Sequence, residues 1–165
     1  MREETVKSSL GRAPRAEPRS AVLAFDFGEQ RIGAAVGDTS VGIAHPLTTI
    51  IAADKKGRYT AIAGLVQEWR PALLVVGLPA HLDGTEHEMS RLARKFAREL
   101  NGRFSLPVEL VDERLTSVAA ESSLAEAGVE RRKRKPVIDQ VAAQHILQAY
   151  FDDQARVAHM QAGSQ

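Results

Sequence analysis

The stretch AVLAFDFGEQRIGAAVGD, residues 21–38, decides the fold. Ala21–Phe27 and Ile32–Gly37 are two mostly apolar runs, and the short link GEQR between them favours a β-hairpin. The first run contains one carboxylate, Asp26, and burial of a carboxylate is costly unless it is paired or bound to a metal. The partner of Asp26 at the end of this strand is therefore the first clue to what the protein does.

The remaining chain alternates strands and helices. The predicted elements are a strand at His45–Ile51, a helix at Tyr59–Trp69 ended by Pro71, a buried strand at Leu73–Leu78, a helix at Thr85–Leu100 that stops near Gly102, a strand at Val108–Val111, a helix at Thr116–Ala127 and a last helix opened by Pro136. This order predicts an α/β fold. Its sheet is mixed and five-stranded, with an antiparallel meander of three strands followed by parallel strands, and helices flank it.

Composition favours one ordinary domain. Of the 165 residues 44% are hydrophobic, with no apolar run long enough to span a bilayer and no apolar signal-peptide core, so a cytoplasmic protein without a membrane partner is expected. Residues 1–19 predict a disordered tail, 20–154 the folded domain and 155–165 a frayed C-terminal tail. Because the chain has no cysteine, a metal would bind oxygen or imidazole ligands, which favours Mg²⁺ or Mn²⁺.

Carboxylates follow the predicted strands where ligands collect in open α/β sheets. Asp26 lies near the end of the first strand, Asp112 and Glu113 follow the fifth, and Asp139 lies in the predicted first turn of the last helix. We expect neighbouring parallel strands to place Asp26 and Glu113 at one edge, with the helix bringing Asp139 to them. Two magnesium ions between such carboxylates would catalyse in-line attack on a phosphodiester.

Each acidic residue also has a simpler interpretation. Asp26 could form a buried salt bridge with Arg31 or Arg114. Asp112 and Glu113 could belong to a surface turn, and Asp139 could complement the helix dipole.

The net charge is only +1, but Arg131–Lys135 is an unbroken basic run. Taken alone, this run favours a solvated, mobile loop over a polyanion-binding segment. Gly28 is expected to permit a tight turn and to let a phosphate backbone approach Asp26.

Four stretches together resemble the YqgF family of pre-16S rRNA nucleases, also described as Holliday-junction-resolvase-like proteins. They are AFDFGEQRIGAAVGD, LLVVGLPAHLDGTEHEMS, VELVDERLTSVAAE and KPVIDQVAAQHILQAYF, in family order, and they cover nearly everything from Ala21 to Phe151. The resemblance implies an RNase H-like fold and trimming of the 5′ end of the 16S rRNA precursor.

The resemblance further implies a metal-dependent nuclease site made from Asp26, Glu113 and Asp139, with Asp112 a weaker candidate ligand and two Mg²⁺ or Mn²⁺ ions as cofactors. Contacts to nucleic acid are expected from Gly28, Arg31, Arg114, Arg131, Arg132, Lys133, Arg134 and Lys135, where the basic run becomes a flexible clamp. Ala142 stands where classical junction resolvases of this fold carry a further carboxylate.

Three functions stay open at this point. The first is a nuclease acting on structured RNA, with a ribosomal precursor particle as partner. The second is a nuclease for branched DNA, which a homodimer would favour because two symmetric nicks need two sites. The third is a non-catalytic ribosome-assembly factor that binds nucleic acid on an inherited fold.

Overall fold

A computed structural model describes residues 20–79, 87–113 and 131–163, except for the side chains of residues 131–136. Five strands form one sheet, and they are β1 (Ala21–Phe27), β2 (Arg31–Asp38), β3 (Ile43–Ile51), β4 (Leu73–Leu78) and β5 (Val108–Asp112). Their order across the sheet is β3-β2-β1-β4-β5. Strands β1, β2 and β3 pair antiparallel, and β4 pairs parallel with both β1 and β5. The predicted sheet is therefore confirmed.

Helix α1 (Lys55–Trp69) begins four residues before the predicted start. The apolar spacing begins only at Tyr59, whereas the helix start is set by Asp54, whose side chain accepts a hydrogen bond from the Gly57 N–H at 2.8 Å. The predicted end is confirmed. Arg70 adopts a left-handed conformation with φ of 47°, and Pro71 follows.

Helix α2 (Glu88–Phe104) continues past the predicted end at Leu100. It runs two residues past Gly102, close to the predicted stop, and is capped by Ser105. That residue has a left-handed φ of 55°, and its N–H donates to the Asn101 carbonyl at 2.9 Å. Part of the predicted first turn, residues 85–86, lies outside the described residues.

Helix α3 (Arg131–Gly163) begins five residues before Pro136, so the prediction that this proline opens the helix is wrong. The basic run Arg131–Lys135 accordingly lies on a helix rather than in a loop, which agrees with the good helix propensity of Arg and Lys. Helix α3 also continues through the segment predicted to fray from residue 155. Its last residues are exposed, and an ion pair between Arg156 and Asp153 supports that end.

The tail at residues 1–19 and the helix predicted at Thr116–Ala127 lie outside the described residues, and the domain bounds stay a prediction. In the parts of the chain that the structure describes, no helix is long and apolar enough to cross a membrane.

Two apolar clusters cover the two faces of the sheet. One packs α1 and α2 against residues such as Phe25, whose ring meets that of Phe96 edge to face at 6.0 Å. The other packs α3 against Val22 and Ala24 of β1 through residues that include Ile146. Because side chains alternate along a strand, Asp26 shares the α3 face with Val22 and Ala24.

Candidate active site

Asp26 is the residue around which the site is built. It lies one residue before the end of β1, on the face covered by α3, and its strand partner on β2 is Gly33. The carbonyl oxygen of Asp139 stands over Gly33, where a Cβ would lie only 1.8 Å away from it. The missing side chain of Gly33 thus lets α3 approach the sheet and brings Asp139 beside Asp26.

Glu113 reaches the same place from β5. The expectation that β1 and β5 are neighbours is wrong, because β4 lies between them. Gly77 of β4 makes the approach possible: a Cβ there would lie 2.9 Å from Glu113 Oε2 and 2.4 Å from Ile146 Cδ1. The Glu113 N–H donates to the Leu78 carbonyl at 3.2 Å and so extends the pairing of β4 with β5 by one residue.

Asp26 and Glu113 influence each other's pKa. Burial raises the pKa of Asp26 to about 8, and the charge of Glu113, a hydrogen bond to Glu113 and the charge of Asp139 act in the same direction. Burial also raises the pKa of Glu113, and the charge of Asp112 adds to this, while the hydrogen bond with Asp26 opposes it. These directions describe a protonated Asp26 that donates a hydrogen bond to the Glu113 carboxylate.

Asp139 has a different partner. Arg31 Nε donates to Asp139 Oδ2 at 2.7 Å, with the two side chains 32% and 19% exposed. The proposed salt bridge between Asp26 and Arg31 is therefore replaced by one between Arg31 and Asp139. Asp139 is the ninth residue of α3, so the interpretation of this carboxylate as a partner for the helix dipole in the first turn is also wrong.

The site carboxylates offer the oxygen ligands that hard divalent cations prefer. Three carboxylates form a hard oxygen donor set, and burial together with the neighbouring Glu113 and Asp139 raises the pKa of Asp26, so a bound cation would favour its ionised form. As arranged, however, Asp139 is paired with Arg31. Within residues 20–79, 87–113 and 131–163 no group of three or more His, Asp or Glu side chains is disposed to hold a metal ion. The chemistry of the donors fits a hard cation, and the pairing with Arg31 must be exchanged for them to surround one.

The other predicted site residues are Asp112, Gly28, Arg114 and the basic run Arg131–Lys135. Asp112 is exposed at the end of β5, and strand alternation turns it to the sheet face opposite Glu113. Gly28 lies in the turn between β1 and β2, where a Cβ would meet the Arg31 carbonyl oxygen at 2.6 Å, so the tight turn requires glycine. Arg114 lies outside the described residues, and of Arg131–Lys135 only the helical backbone is described.

Gly33 and Gly77 are the functional positions that the sequence analysis missed. Glycine in the interior of a strand marks a place where another group approaches closely. Both residues sit inside runs predicted as strands, so this signal was present in the sequence. The signal does not say which group approaches.

The family model described as "RuvX: Holliday junction resolvase" matches residues 20–153. A protein of Methylobacillus flagellatus named "Putative pre-16S rRNA nuclease" is 60% identical over 139 residues, covering 84% of this chain and 95% of its own length. A protein of Chromobacterium violaceum with the same name is 63% identical over 131 residues, covering 79% of this chain and 96% of its own length.

Two solved structures share the fold at low sequence identity. The RuvC of T. thermophilus, in complex with a Holliday junction substrate, superposes with a TM-score of 0.53 at 15% identity, over 82% of this chain and 96% of that one. The yeast mitochondrial Holliday junction resolvase Ydc2 gives a TM-score of 0.54 at 12% identity, over 96% of this chain and 88% of its own. These likenesses show the RNase H-like fold alone.

Proposed function

The chain belongs to the RuvX family, described as Holliday junction resolvase, and on that basis we propose that it is a nuclease that processes the 5′ end of pre-16S rRNA. The observation that carries the proposal is the convergence of Asp26, Glu113 and Asp139 at one end of the sheet. We choose RNA as the substrate because the relatives from Methylobacillus flagellatus and Chromobacterium violaceum are both named pre-16S rRNA nucleases. A nuclease that acts on an rRNA precursor would work in the cytoplasm, with a ribosomal precursor particle as its partner.

We assign two divalent cations, Mg²⁺ or Mn²⁺, to Asp26, Glu113 and Asp139. Asp112, the weaker candidate ligand, is left out of this set because strand alternation turns it to the opposite face of the sheet. Such ions would lower the pKa of a water for attack on phosphorus and stabilise the leaving oxygen. Asp26 and Glu113 can serve as ligands once they release the proton that they share, and Asp139 once it leaves Arg31. The Arg31 guanidinium then lies beside the site, where its fork of N–H donors suits a phosphate.

The basic run supports the same proposal from α3. Arg131–Lys135 and Asp139 belong to one helix. The eight residue-to-residue steps from Arg131 to Asp139 span about 12 Å along its axis. We assign this run, together with Gly28 and Arg114, to the phosphate backbone of the substrate. The assignment keeps the expected clamp but makes it part of the helix that carries Asp139.

Cleavage of branched DNA is the second candidate, favoured by the description of the matching family. The same carboxylates would serve, because they act on the phosphate rather than on the sugar. The buried Ala142, only 1% exposed, leaves the carboxylate of classical resolvases without an equivalent at this position. A homodimer would support this candidate, since paired nicks need two sites.

The test is a cleavage assay on a labelled 16S precursor RNA and a four-way DNA junction, with Mg²⁺, with Mn²⁺ and with EDTA. Asp26→Asn removes a site carboxylate, and Asp153→Asn is the control because it neutralises an exposed aspartate at the far end of α3. Metal-dependent RNA cleavage that is lost only in Asp26→Asn supports the proposal. Cleavage of the junction alone supports the second candidate. Binding without cleavage under every condition supports the non-catalytic assembly factor and overturns both nuclease functions.

A further inference from the structure

A groove between α1 and α2, on the sheet face opposite Asp26, has no role in the site described above. Its volume is about 660 Å³. Its lining, here called the basic groove, includes two lysines, an arginine and two aromatic rings, contributed by Lys55, Lys56, Tyr59, Thr60, Arg103 and Phe104. A concave surface that gathers cations favours an anionic partner.

Two of these cations are held in place by their neighbours. Lys55 Nζ lies 2.7 Å from Glu99 Oε2, and the Tyr59 hydroxyl donates to the same carboxylate. The Arg103 guanidinium carbon lies 4.0 Å from the centre of the Tyr59 ring. Side chains that are already ordered lose less conformational entropy when they bind a ligand.

The charge of the surroundings is positive. Besides the cations of the basic groove, Lys95 acts on the Glu99 carboxylate and Arg58 lies at the same end of α1. Glu99 is engaged by Lys55, and within the described part of the chain neither Lys56 nor Arg103 has a carboxylate partner. Positive charge therefore remains for a phosphate backbone to neutralise.

Arg58 links the end of α1 that carries the lysines of the basic groove to the β1–β2 turn that follows Asp26. Arg58 Nη2 donates to the Glu29 carbonyl at 3.0 Å, and its guanidinium carbon lies 5.3 Å from the centre of the Phe27 ring. Phe27 follows Asp26 directly, and Glu29 lies in the link from β1 to β2. A nucleic acid cut at Asp26 can therefore continue over this turn towards α1.

The low accessibility of the aromatic rings favours a double-stranded ligand. Proteins that bind single strands stack bases on accessible aromatic faces, whereas Tyr59 is only 5% exposed and Arg103 covers its ring. Phe104, the other ring of the lining, is partly buried against the apolar cluster beneath α1 and α2, so the basic groove offers charge with little accessible ring surface for stacking. That suits a backbone whose bases are paired with each other.

We propose that the basic groove binds the phosphate backbone of a double-stranded arm of the substrate, on the far side of the β1–β2 turn from the carboxylates. This inference rests on the proposed function, because it extends the path of the nucleic acid that the site would cut.

The test measures binding without cleavage. A labelled RNA duplex of about 24 base pairs is titrated in EDTA by fluorescence anisotropy over a range of KCl concentrations. Lys56→Gln/Arg103→Gln removes two cations of the basic groove, and Arg98→Gln/Arg156→Gln removes the same charge from exposed positions elsewhere. We expect the groove variant to weaken binding several-fold and to reduce the slope of log Kd against log salt by up to about two, since each phosphate contact contributes about 0.9 in B-DNA.

Further variants and ligands separate the effect of charge from that of folding, and a duplex from a single strand. Lys55→Gln/Lys56→Gln removes two lining cations, leaves the stacking of Arg103 on Tyr59 intact and should give the same loss, which separates charge from any effect of Arg103 on folding. Equal Kd values for the groove and control variants would overturn the proposal. An equal loss for a single strand of the same length would also overturn it, since the groove would then not select a duplex. Duplex binding that depends on the groove in a wild-type protein without nuclease activity would overturn the proposed function and leave the groove standing.

Discussion

The backbone carbonyl oxygen of Asp139 lies so close over Gly33 that a Cβ on this residue would stand 1.8 Å from it. Gly33 is also the strand partner of Asp26. This contact therefore fixes how closely α3 approaches the sheet beside Asp26 and sets the position of one site carboxylate relative to another.

Gly33→Ala should damage both stability and activity. The obstacle is backbone rather than a movable side chain, so α3 must shift, and forced overpacking of this kind costs about 1–3 kcal/mol. A displacement of about 1 Å at reacting groups can cost about 100-fold in rate. Urea denaturation and initial cleavage rates measure the two effects.

Gly64→Ala provides the control, because nothing lies within 4 Å of a Cβ at that position in α1. This substitution should stabilise the protein by about 0.5–1 kcal/mol, as expected for alanine in a helix interior. Equal stability changes in the two variants would contradict the packing role of Gly33.

Arg31→Gln should change how the protein responds to a divalent cation. The variant leaves Asp139 near two other carboxylates without its cationic partner, so the metal-free protein should have a lower Tm than wild type. A bound cation replaces the lost charge and stabilises the folded form according to its affinity. Mn²⁺ should therefore raise the Tm of Arg31→Gln more than that of wild type, measured by differential scanning calorimetry.

Arg31→Lys retains the positive charge and should respond to Mn²⁺ more like the wild type. If Mn²⁺ raises all three Tm values equally, Arg31 does not compete with a cation for Asp139.

The stability of the metal-free protein should fall as pH rises from about 4 to about 8. The pKa of Asp26 is raised from 3.8 to about 8 by burial and by the neighbouring Glu113 and Asp139. Between these values the folded state holds a proton that the unfolded state has lost, so unfolding becomes easier as pH rises. The slope for one such proton is at most about 1.4 kcal/mol per pH unit.

Asp26→Asn removes this titration. Its free energy of unfolding in EDTA should depend less on pH over the same range and should exceed that of wild type near the upper end. Urea denaturation at a series of pH values makes the comparison, and parallel profiles for the two proteins would show that Asp26 is ionised in the fold.

Gln148→Ala should destabilise the contact between α3 and β3. Gln148 Oε1 accepts from the Ala44 N–H at 3.0 Å, and its Nε2 donates to the Gly42 carbonyl at 2.9 Å. Ala44 is buried, so its N–H would lose a partner, at a cost of about 1–3 kcal/mol. Gln154→Ala, at an exposed position of the same helix, should change the unfolding free energy by less than about 0.5 kcal/mol. Similar values for both variants in urea denaturation would contradict this role of Gln148.

Local patterns explain how much of the fold the sequence predicted. The strand β4 was predicted with its observed bounds because a short, fully apolar run between turn residues has little choice of structure. The helix ends are predicted less accurately, because hydrophobic spacing shows which residues face the core and not where the helix is capped. Helix α1 started earlier at the Asp54 cap, and α2 ended later at Ser105.

The sequence by itself determined the mixed sheet and the carboxylates that follow its strands, because alternation, apolar runs and turn residues are properties of neighbouring positions. Only the tertiary structure decided the partner of each charge. Glu113 crosses an intervening strand at Gly77, Arg31 pairs with Asp139 across 108 positions of sequence, and Asp139 meets Asp26 through Gly33. Such contacts depend on the order of strands in the sheet and on the space left by absent side chains, and neither quantity is encoded in local spacing.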